Sequence, residues 1–156
     1  MHERHEVEVS AHTKAHVNIE DLQRKAASGS VAAQSILGIC YLEGIDVGVD
    51  YVKALRLLSA AAAHGAPRAK ASLARMYADG LGVEKDLPEA IRLYEEAAGA
   101  GDFLAQIALA RILSRGTGVP PNPDAALKWY SAAAAQEGTV ADCEELREAK
   151  TYARLV

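Results

Sequence analysis

The chain has 156 residues, a formal net charge of −4 and apolar side chains at 50% of its positions. This length and composition suit one compact domain or one short repeat array, and they exclude disorder along the whole chain. Aromatic residues make up only 5% of the chain, which argues against an all-β fold and favours closely packed helices. The mild acidity gives no general attraction to nucleic acid or to an anionic membrane, so we expect neither as a partner.

Residues 1–17 are expected to form a flexible N-terminal tail. This segment is charged where a secretory signal would be apolar, so the chain is expected in the cytoplasm, or in the periplasm if a signal has been removed. The longest uncharged run, residues 26–42, contains several serines and glycines and is too polar to span a membrane.

Two histidines in the tail raise the question of a metal site. His12 and His16 are four residues apart, and Glu8 lies four residues earlier, so a helix would align three metal-binding side chains. The alternation of Glu and Val over residues 6–9 instead indicates an extended tail. No metal ligand and no cofactor is therefore predicted.

A repeat with a period of 36 residues is the main feature of the sequence. Gly29, Gly65 and Gly101 are 36 residues apart, and Gly138 follows after 37. The same positions recur between these glycines, which predicts three repeats over residues 30–65, 66–101 and 102–138. In the second copy the shared positions are Ala69, Leu73, Ala74, Tyr77, Gly80, Val83, Asp86, Ala90, Ile91 and Ala98.

Each repeat contains two helical stretches with matching end signals. In the second copy, Pro67 can occupy the first turn of a helix that ends at Gly80. After a loop, Asp86 can cap a second helix, and Gly101 can take the left-handed position that closes it. Each repeat is therefore predicted to be a helix-turn-helix unit.

Two further helices flank the repeats and are expected to cap them. Asn18 begins a leading helix within residues 18–29, and Thr139 begins a trailing helix within residues 139–156. One helical pair cannot bury its apolar face alone, so the pairs should stack on one another. The sequence predicts an all-α, right-handed superhelical solenoid of three helical pairs and two capping helices, about eight helices in all.

The repeat pattern reads A-x3-LG-x2-Y-x2-G-x-G-V-x2-D-x3-A with a closing AA-x2-G. This pattern resembles the Sel-1-like repeat family, a branch of the tetratricopeptide-like α-solenoids, whose tetratricopeptide unit is shorter, at about 34 residues. Asp46 departs from the pattern, because it stands where the later copies have Gly82 and Gly118, and Leu113 replaces the tyrosine. Asp adopts left-handed conformations more readily than most residues, so the first loop is expected to be adjusted rather than broken.

The resemblance implies a protein that holds other proteins, as family members do in quality-control complexes and in bacterial signalling and secretion. We therefore expect a non-enzymatic adaptor or scaffold that binds a partner protein or peptide. Two alternatives remain open: an immunity or inhibitor protein that neutralises a secreted bacterial effector toxin, and a metal-responsive regulator. The sequence contains no phosphate-binding loop or nucleophile elbow, so no catalytic residue is predicted. The oligomeric state stays open, with the monomer slightly favoured.

In tetratricopeptide-like stacks the first helix of each pair lines the concave face, and the repeat register then assigns the groove residues. The partner-binding residues predicted in this way are Ser35, Ile39, Leu42, Arg68, Arg75, Asp79, Ile107, Arg111 and Arg115. The four arginines face two carboxylates, Glu43 and Asp79, which gives the groove a local charge of +2. We therefore expect a partner with an acidic surface, bound by Arg75 and Arg111. The alternative is that Arg75 simply pairs with Asp79, four residues later.

The last part of the chain has an acidic helix preceded by two aromatic residues. Glu144 and Glu148 lie four residues apart, and they indicate either a solvated capping helix or a surface for a basic partner. Trp129 and Tyr130 are interpreted as core residues beneath this terminal helix rather than as a contact surface.

Overall fold

The computed structural model describes residues 16–138 and 143–155, and these contain eight α-helices. The helices are α1 (Ile19–Ala27), α2 (Val31–Glu43), α3 (Tyr51–Ala63), α4 (Pro67–Asp79), α5 (Leu87–Gly99), α6 (Phe103–Arg115), α7 (Pro123–Ala134) and α8 (Glu144–Arg154). Each helix packs against its neighbour in the chain, and α2 also contacts α4. The predicted all-α repeat fold is confirmed, with α1 and α8 flanking three helical pairs. In the described ranges, no helix combines the length and the apolar character needed to cross a membrane.

Six of the eight helices in the described residues begin with a side-chain cap, whereas α4 begins at Pro67 without one. Asp86 accepts a hydrogen bond from the backbone N–H of Glu89 at 3.0 Å, and Asn122 accepts one from Ala125 at 3.1 Å. Each bond satisfies a backbone N–H that has no partner within its helix. The same capping bond is made by Asn18, Ser30, Asp50 and Asp102. Residues 139–142, predicted to begin the trailing helix, lie outside the described residues, and α8 begins at Glu144.

Two hydrophobic clusters form the core of the array. The first contains buried residues from α1 to α6, and the second contains buried residues from α6 to α8. Leu113 and Trp129 pack against both clusters, which makes the core continuous through the third pair. Tyr130 is 3% exposed, and its ring centroid lies 4.4 Å from that of Tyr152 in α8. Tyr130 is thus a core residue beneath the terminal helix, as predicted.

Successive pairs approach each other closely at a glycine in the loop between two paired helices. Gly82 has a φ of 69°, and a Cβ atom placed there would lie 2.4 Å from the Cβ of Tyr51, at the start of α3. Gly118, with a φ of 70°, stands in the same relation to Leu87 at the start of α5, whose Cδ2 would be 2.0 Å away. Both the left-handed backbone and the close approach therefore require glycine at these two positions.

The first loop has Asp46 at the equivalent position, in the left-handed conformation with a φ of 55°. Its carboxylate accepts a hydrogen bond from the backbone N–H of Val17 at 2.8 Å and lies 3.0 Å from Nδ1 of His16. These hydrogen bonds from Val17 and His16 hold the pKa of Asp46 below its usual range. The first loop is therefore adjusted rather than broken, because Asp46 binds the segment that leads into α1.

Replacing Gly82 with Ala should destabilise the protein, because alanine is disfavoured at a φ of 69° and its Cβ would overlap Tyr51. The left-handed conformation alone costs about 1–2 kcal/mol, so the Tm measured by calorimetry should fall by at least about 2–4 °C. The matched control is Gly99→Ala, since Gly99 ends α5 and a Cβ there would meet nothing within 4 Å. Equal Tm values for the two variants would contradict the close contact at Gly82.

Leu73 tests the packing of the central repeat, because it is 7% exposed and belongs to the first hydrophobic cluster. Leu73→Ala should lower the free energy of unfolding in urea by roughly 2–5 kcal/mol, through lost burial and the cavity left behind. Leu155→Ala removes the same atoms from a side chain that is 80% exposed, and it should change stability by less than about 0.5 kcal/mol. If both variants unfold at the wild-type urea midpoint, Leu73 is not a core residue.

Candidate functional site

A groove of about 480 Å³ runs along α2, α4 and α6, the first helices of the three pairs. It lies where the repeat register places the concave face. Five of the nine predicted partner-binding residues line it, and these are Ile39, Arg68, Arg75, Ile107 and Arg111. Lining residues that the sequence register did not assign are Ile45, Ser72, Ala108, Tyr94 of α5 and Glu145 of α8.

The other four predicted residues lie elsewhere. Asp79 pairs with Arg75, and Arg115 occupies the last turn of α6. The pKa of Glu148 is lowered mainly by its hydrogen bond from Arg111, and the charge of Arg115 lowers it further. Ser35 and Leu42 do not line the groove, and they are 7% and 4% exposed. Leu42 belongs to the first hydrophobic cluster.

Arg75 binds two carboxylates of its own chain. Its two Nη atoms contact the carboxylate of Glu43 in α2, with Nη2 at 3.4 Å from Oε2 and Nη1 closer to Oε1. Its Nε lies 3.8 Å from Oδ2 of Asp79 in α4. The pairing of Arg75 with Asp79 is thus confirmed, and the guanidinium also connects α4 to α2.

Arg111 binds a carboxylate of the trailing helix. Its Nε donates to the two carboxylate oxygens of Glu148 at 3.1 and 2.9 Å, and Nη2 contacts the same carboxylate. The hydroxyl of Tyr130 donates to Oε1 of Glu148 at 2.7 Å. Hydrogen bonding from Arg111 keeps the pKa of Glu148 below its usual range, while burial and the bond to Glu148 raise the pKa of Tyr130. Glu148 is therefore partly buried and already paired within the chain, which disfavours it as a site for a basic partner.

Carboxylates from neighbouring segments offset the positive charge that the sequence predicts for the groove. Oδ2 of Asp102 lies 3.6 Å from Nη1 of Arg68, and α8 adds Glu145 and Glu148. Among the residues that line the groove, Arg68, Arg75 and Arg111 face Glu43 and Glu145, which gives a net charge of +1 (three minus two) instead of +2. Asp102 and Glu148, which do not line the groove, pair with Arg68 and Arg111 and offset the positive charge further. The count from the sequence was more positive because it omitted the trailing helix.

Tyr94 is the buried polar side chain of the groove. It is 6% exposed and lines the groove from α5, and its hydroxyl has no hydrogen-bond partner among the described residues. Burial, together with the negative charge of Asp79, raises the pKa of Tyr94 to about 12, so the hydroxyl is neutral at pH 7 and can donate. The sequence could have indicated Tyr94 as a groove residue, because Tyr130 occupies the equivalent position 36 residues later.

Of the three possible metal ligands in the N-terminal segment, Glu8, His12 and His16, the structure describes His16. His16 lies against Asp46, while His12 and Glu8 fall outside the described residues. Within residues 16–138 and 143–155, no three side chains of His, Cys, Asp or Glu form a group that could hold a metal ion.

The three repeats match the family model for the Sel1 repeat over residues 31–65, 67–102 and 104–137. A solved structure of a Sel1 repeat protein from Oxalobacter formigenes is 38% identical, with a TM-score of 0.70, and the match covers 88% of this chain and 98% of that one. The protein c5321, a protective antigen present in uropathogenic Escherichia coli strains and displaying an SLR fold, is 30% identical, with a TM-score of 0.71, over 89% of this chain and 33% of that one.

A third solved structure shares the fold alone. The cysteine rich protein B of Helicobacter pylori is 21% identical, with a TM-score of 0.65, over 85% of this chain and 96% of that one. Among curated proteins, none matches the sequence significantly.

Glu148→Gln should lower stability at pH 7 more than at pH 3. The pKa of Glu148 is depressed in the folded protein, so its charged form stabilises the fold above the ordinary pKa near 4.5, and this stabilisation is lost as the pH falls. We expect the Tm at pH 7 to fall by about 2–4 °C, or about 1 kcal/mol, because the pair is partly exposed to solvent.

Glu95→Gln is the control for this charge change, since Glu95 is exposed and has no ion pair in the described part of the chain. Its Tm should follow that of the wild type at both pH values. A Tm difference for Glu148→Gln that is the same at pH 7 and pH 3 would show that the ionised carboxylate contributes nothing.

Proposed function

Because the chain belongs to the Sel1 repeat family, whose members generally mediate protein–protein interactions, we propose that its groove binds a partner protein through one carboxylate and adjacent apolar contacts. The family is typically a non-catalytic interaction scaffold. We accordingly propose that the protein is an adaptor or scaffold and that the groove is its binding surface.

The proposed carboxylate site rests on a pair of side chains that occurs twice. Arg111 and Tyr130 together bind the carboxylate of Glu148. One repeat earlier, the equivalent pair is Arg75 and Tyr94, and both residues line the groove. The hydroxyl of Tyr94 meets no carboxylate of the described chain. An acidic side chain of a partner would bind this pair as Glu148 binds the later one.

Arg75 can bind a further carboxylate although it already contacts Glu43. A guanidinium has five N–H donors, and the hydrogen bonds to Glu43 use only its Nη atoms. The side chains of both Arg75 and Glu43 are partly exposed, at 44% and 35%, so a partner carboxylate can compete for the same arginine. Each arginine that lines the groove already pairs with a carboxylate of the chain, which favours a partner with one well-placed acidic residue over a strongly acidic surface.

Apolar residues beside this pair provide the rest of the contact surface. Leu104 is 41% exposed at the groove, and Ile39 and Ala108 line it from α2 and α6. Buried apolar contacts near the centre of an interface usually supply most of its binding energy. A peptide segment that carries apolar residues next to one Asp or Glu fits this arrangement.

The hydroxyl of Tyr94 tests the carboxylate site. The full chain is used as bait, retained proteins are identified by mass spectrometry, and the Kd of each purified partner is measured by calorimetry. Tyr94→Phe removes only the hydroxyl and should weaken binding about fivefold to tenfold, the loss of one hydrogen bond. Tyr51→Phe makes the same change outside the groove and should leave the Kd unchanged.

The apolar part of the groove is tested by Leu104→Asp, with Val52→Asp as the matched control. Val52 is 77% exposed on α3 and does not line the groove. Leu104→Asp should weaken partner binding at least tenfold, because it places an unpaired charge against apolar partner groups. A partner whose Kd is unchanged by both Tyr94→Phe and Leu104→Asp would place the binding surface elsewhere.

A further inference from the structure

A second cleft, of about 540 Å³, lies between α1, α2 and α3. It shares no lining residue with the groove. We call it the α1–α3 cleft, and it is lined on the polar side by Gln23, Gln34, Lys53 and Arg56. The repeat places an equivalent position in the second and third pairs, so the three positions can be compared directly.

In the second pair, side chains of this chain occupy the equivalent position. Glu96 of α5 accepts a hydrogen bond from Nζ of Lys70 at 2.7 Å and another from Nη1 of Arg92. Arg92 is also bound by Glu89, with Nε at 2.9 Å from Oε2. Two glutamates therefore neutralise the two cations at this position.

In the third pair, the equivalent position is also occupied. Oε1 of Gln106 accepts a hydrogen bond from Nε2 of Gln136 at 2.9 Å. Trp129 stands where the first pair has Leu57, and it packs against both hydrophobic clusters. The amide acceptor and the apolar side of this position are thus satisfied within the chain. Ala132 stands where the second pair has Glu96, and Lys128, the equivalent of Arg92, lies with its Nζ 4.9 Å from the ring centroid of Trp129.

The first pair lacks these partners. Ala60 stands where the second pair has Glu96, and Arg56, the equivalent of Arg92, has no ion pair within the described residues. Oε1 of Gln34 is shielded from solvent and accepts no hydrogen bond in the part of the chain that the structure describes. Its Nε2 makes one long bond, of 3.4 Å, to a backbone carbonyl of α1. The cleft therefore contains an unused acceptor and an unpaired cation.

The charge of the α1–α3 cleft is also more positive than that of its second copy. Lys53 stands where the second pair has Glu89. Nζ of Lys53 lies 3.6 Å from Asp50 and 5.1 Å from the ring centroid of Tyr41, so it stays at the cleft and is only partly neutralised. A ligand for this cleft must bring a negative charge.

We propose that the α1–α3 cleft binds an acidic peptide segment of a partner protein. The carboxylate of its Asp or Glu pairs with Arg56, as Glu96 pairs with Arg92. Apolar side chains beside the acidic residue pack on Leu37 and Leu57, which form the apolar side of the cleft. This site is independent of the proposed groove, because the two have no residue in common.

The test is an NMR titration of the ¹⁵N-labelled full chain with two blocked peptides of sequence ALELA and ALQLA. The signals observed are the side-chain amide of Gln34 and the Nε–H of Arg56. We expect saturable shifts of both signals with ALELA and at least fivefold weaker binding of ALQLA. Shifts that are absent, or equal for the two peptides, would overturn the proposal.

Variants of the full chain test the missing carboxylate. Ala60→Glu supplies the group that Glu96 provides in the second pair, so it should pair with Arg56 and weaken ALELA binding at least tenfold without lowering the Tm. Arg56→Gln should weaken binding at least fivefold, whereas Lys128→Gln, at the equivalent position of the third pair, should not change it. Wild-type affinity in Ala60→Glu would overturn the proposal.

One further variant distinguishes a partner from the protein's own N-terminal residues. Glu3, Glu6 and Glu8 are replaced together by Gln in the full chain, which removes the acidic groups of that segment. Unchanged ALELA affinity supports an external partner. Affinity that rises at least threefold would show that the N-terminal segment competes for the cleft and would overturn the assignment to a partner protein.

Discussion

Each helical pair of the array leaves apolar surface uncovered until the next pair packs on it, and the two pairs approach closely at the loop glycine. At Gly82 and Gly118 the backbone lies so close to Tyr51 and Leu87 that no side chain fits between them. The same contact recurs from one pair to the next. Residues 36 positions apart then occupy equivalent places along the array, and both the groove and the α1–α3 cleft depend on that alignment.

Because the places are equivalent, a change of one residue decides whether a position is satisfied by the chain or left open. The carboxylate of Glu148 occupies the site formed by Arg111 and Tyr130, whereas the hydroxyl of Tyr94 has no such partner in the described chain. Likewise, Glu96 fills the second cleft, and Ala60 leaves the first one open. A repeat array can therefore create binding positions by small substitutions, without any change of backbone.

The two ends of the array depend on charged side chains rather than on further repeats. At the start, Asp46 takes the place of the loop glycine and binds the segment that enters α1 through the backbone of Val17. At the other end, Arg111 binds α8 through Glu148, and Tyr130 stacks on Tyr152. Glu148, which holds α8 in place, also pairs with Arg111 of the groove, whereas Asp46 does not line the groove.

The sequence by itself determined the repeat period, the helix starts and the loops, because these depend on interactions within three or four residues and on the backbone freedom of glycine. Asp86 and Asn122 cap their helices as predicted, and Gly82 recurs where a left-handed residue is needed. Only the tertiary structure decided which charges meet and which side chains are reachable. Arg111 and Glu148 are 37 residues apart, and Leu42 is buried by packing of the whole first pair. Such contacts depend on the rotation of each helix against its neighbours, which no local pattern specifies.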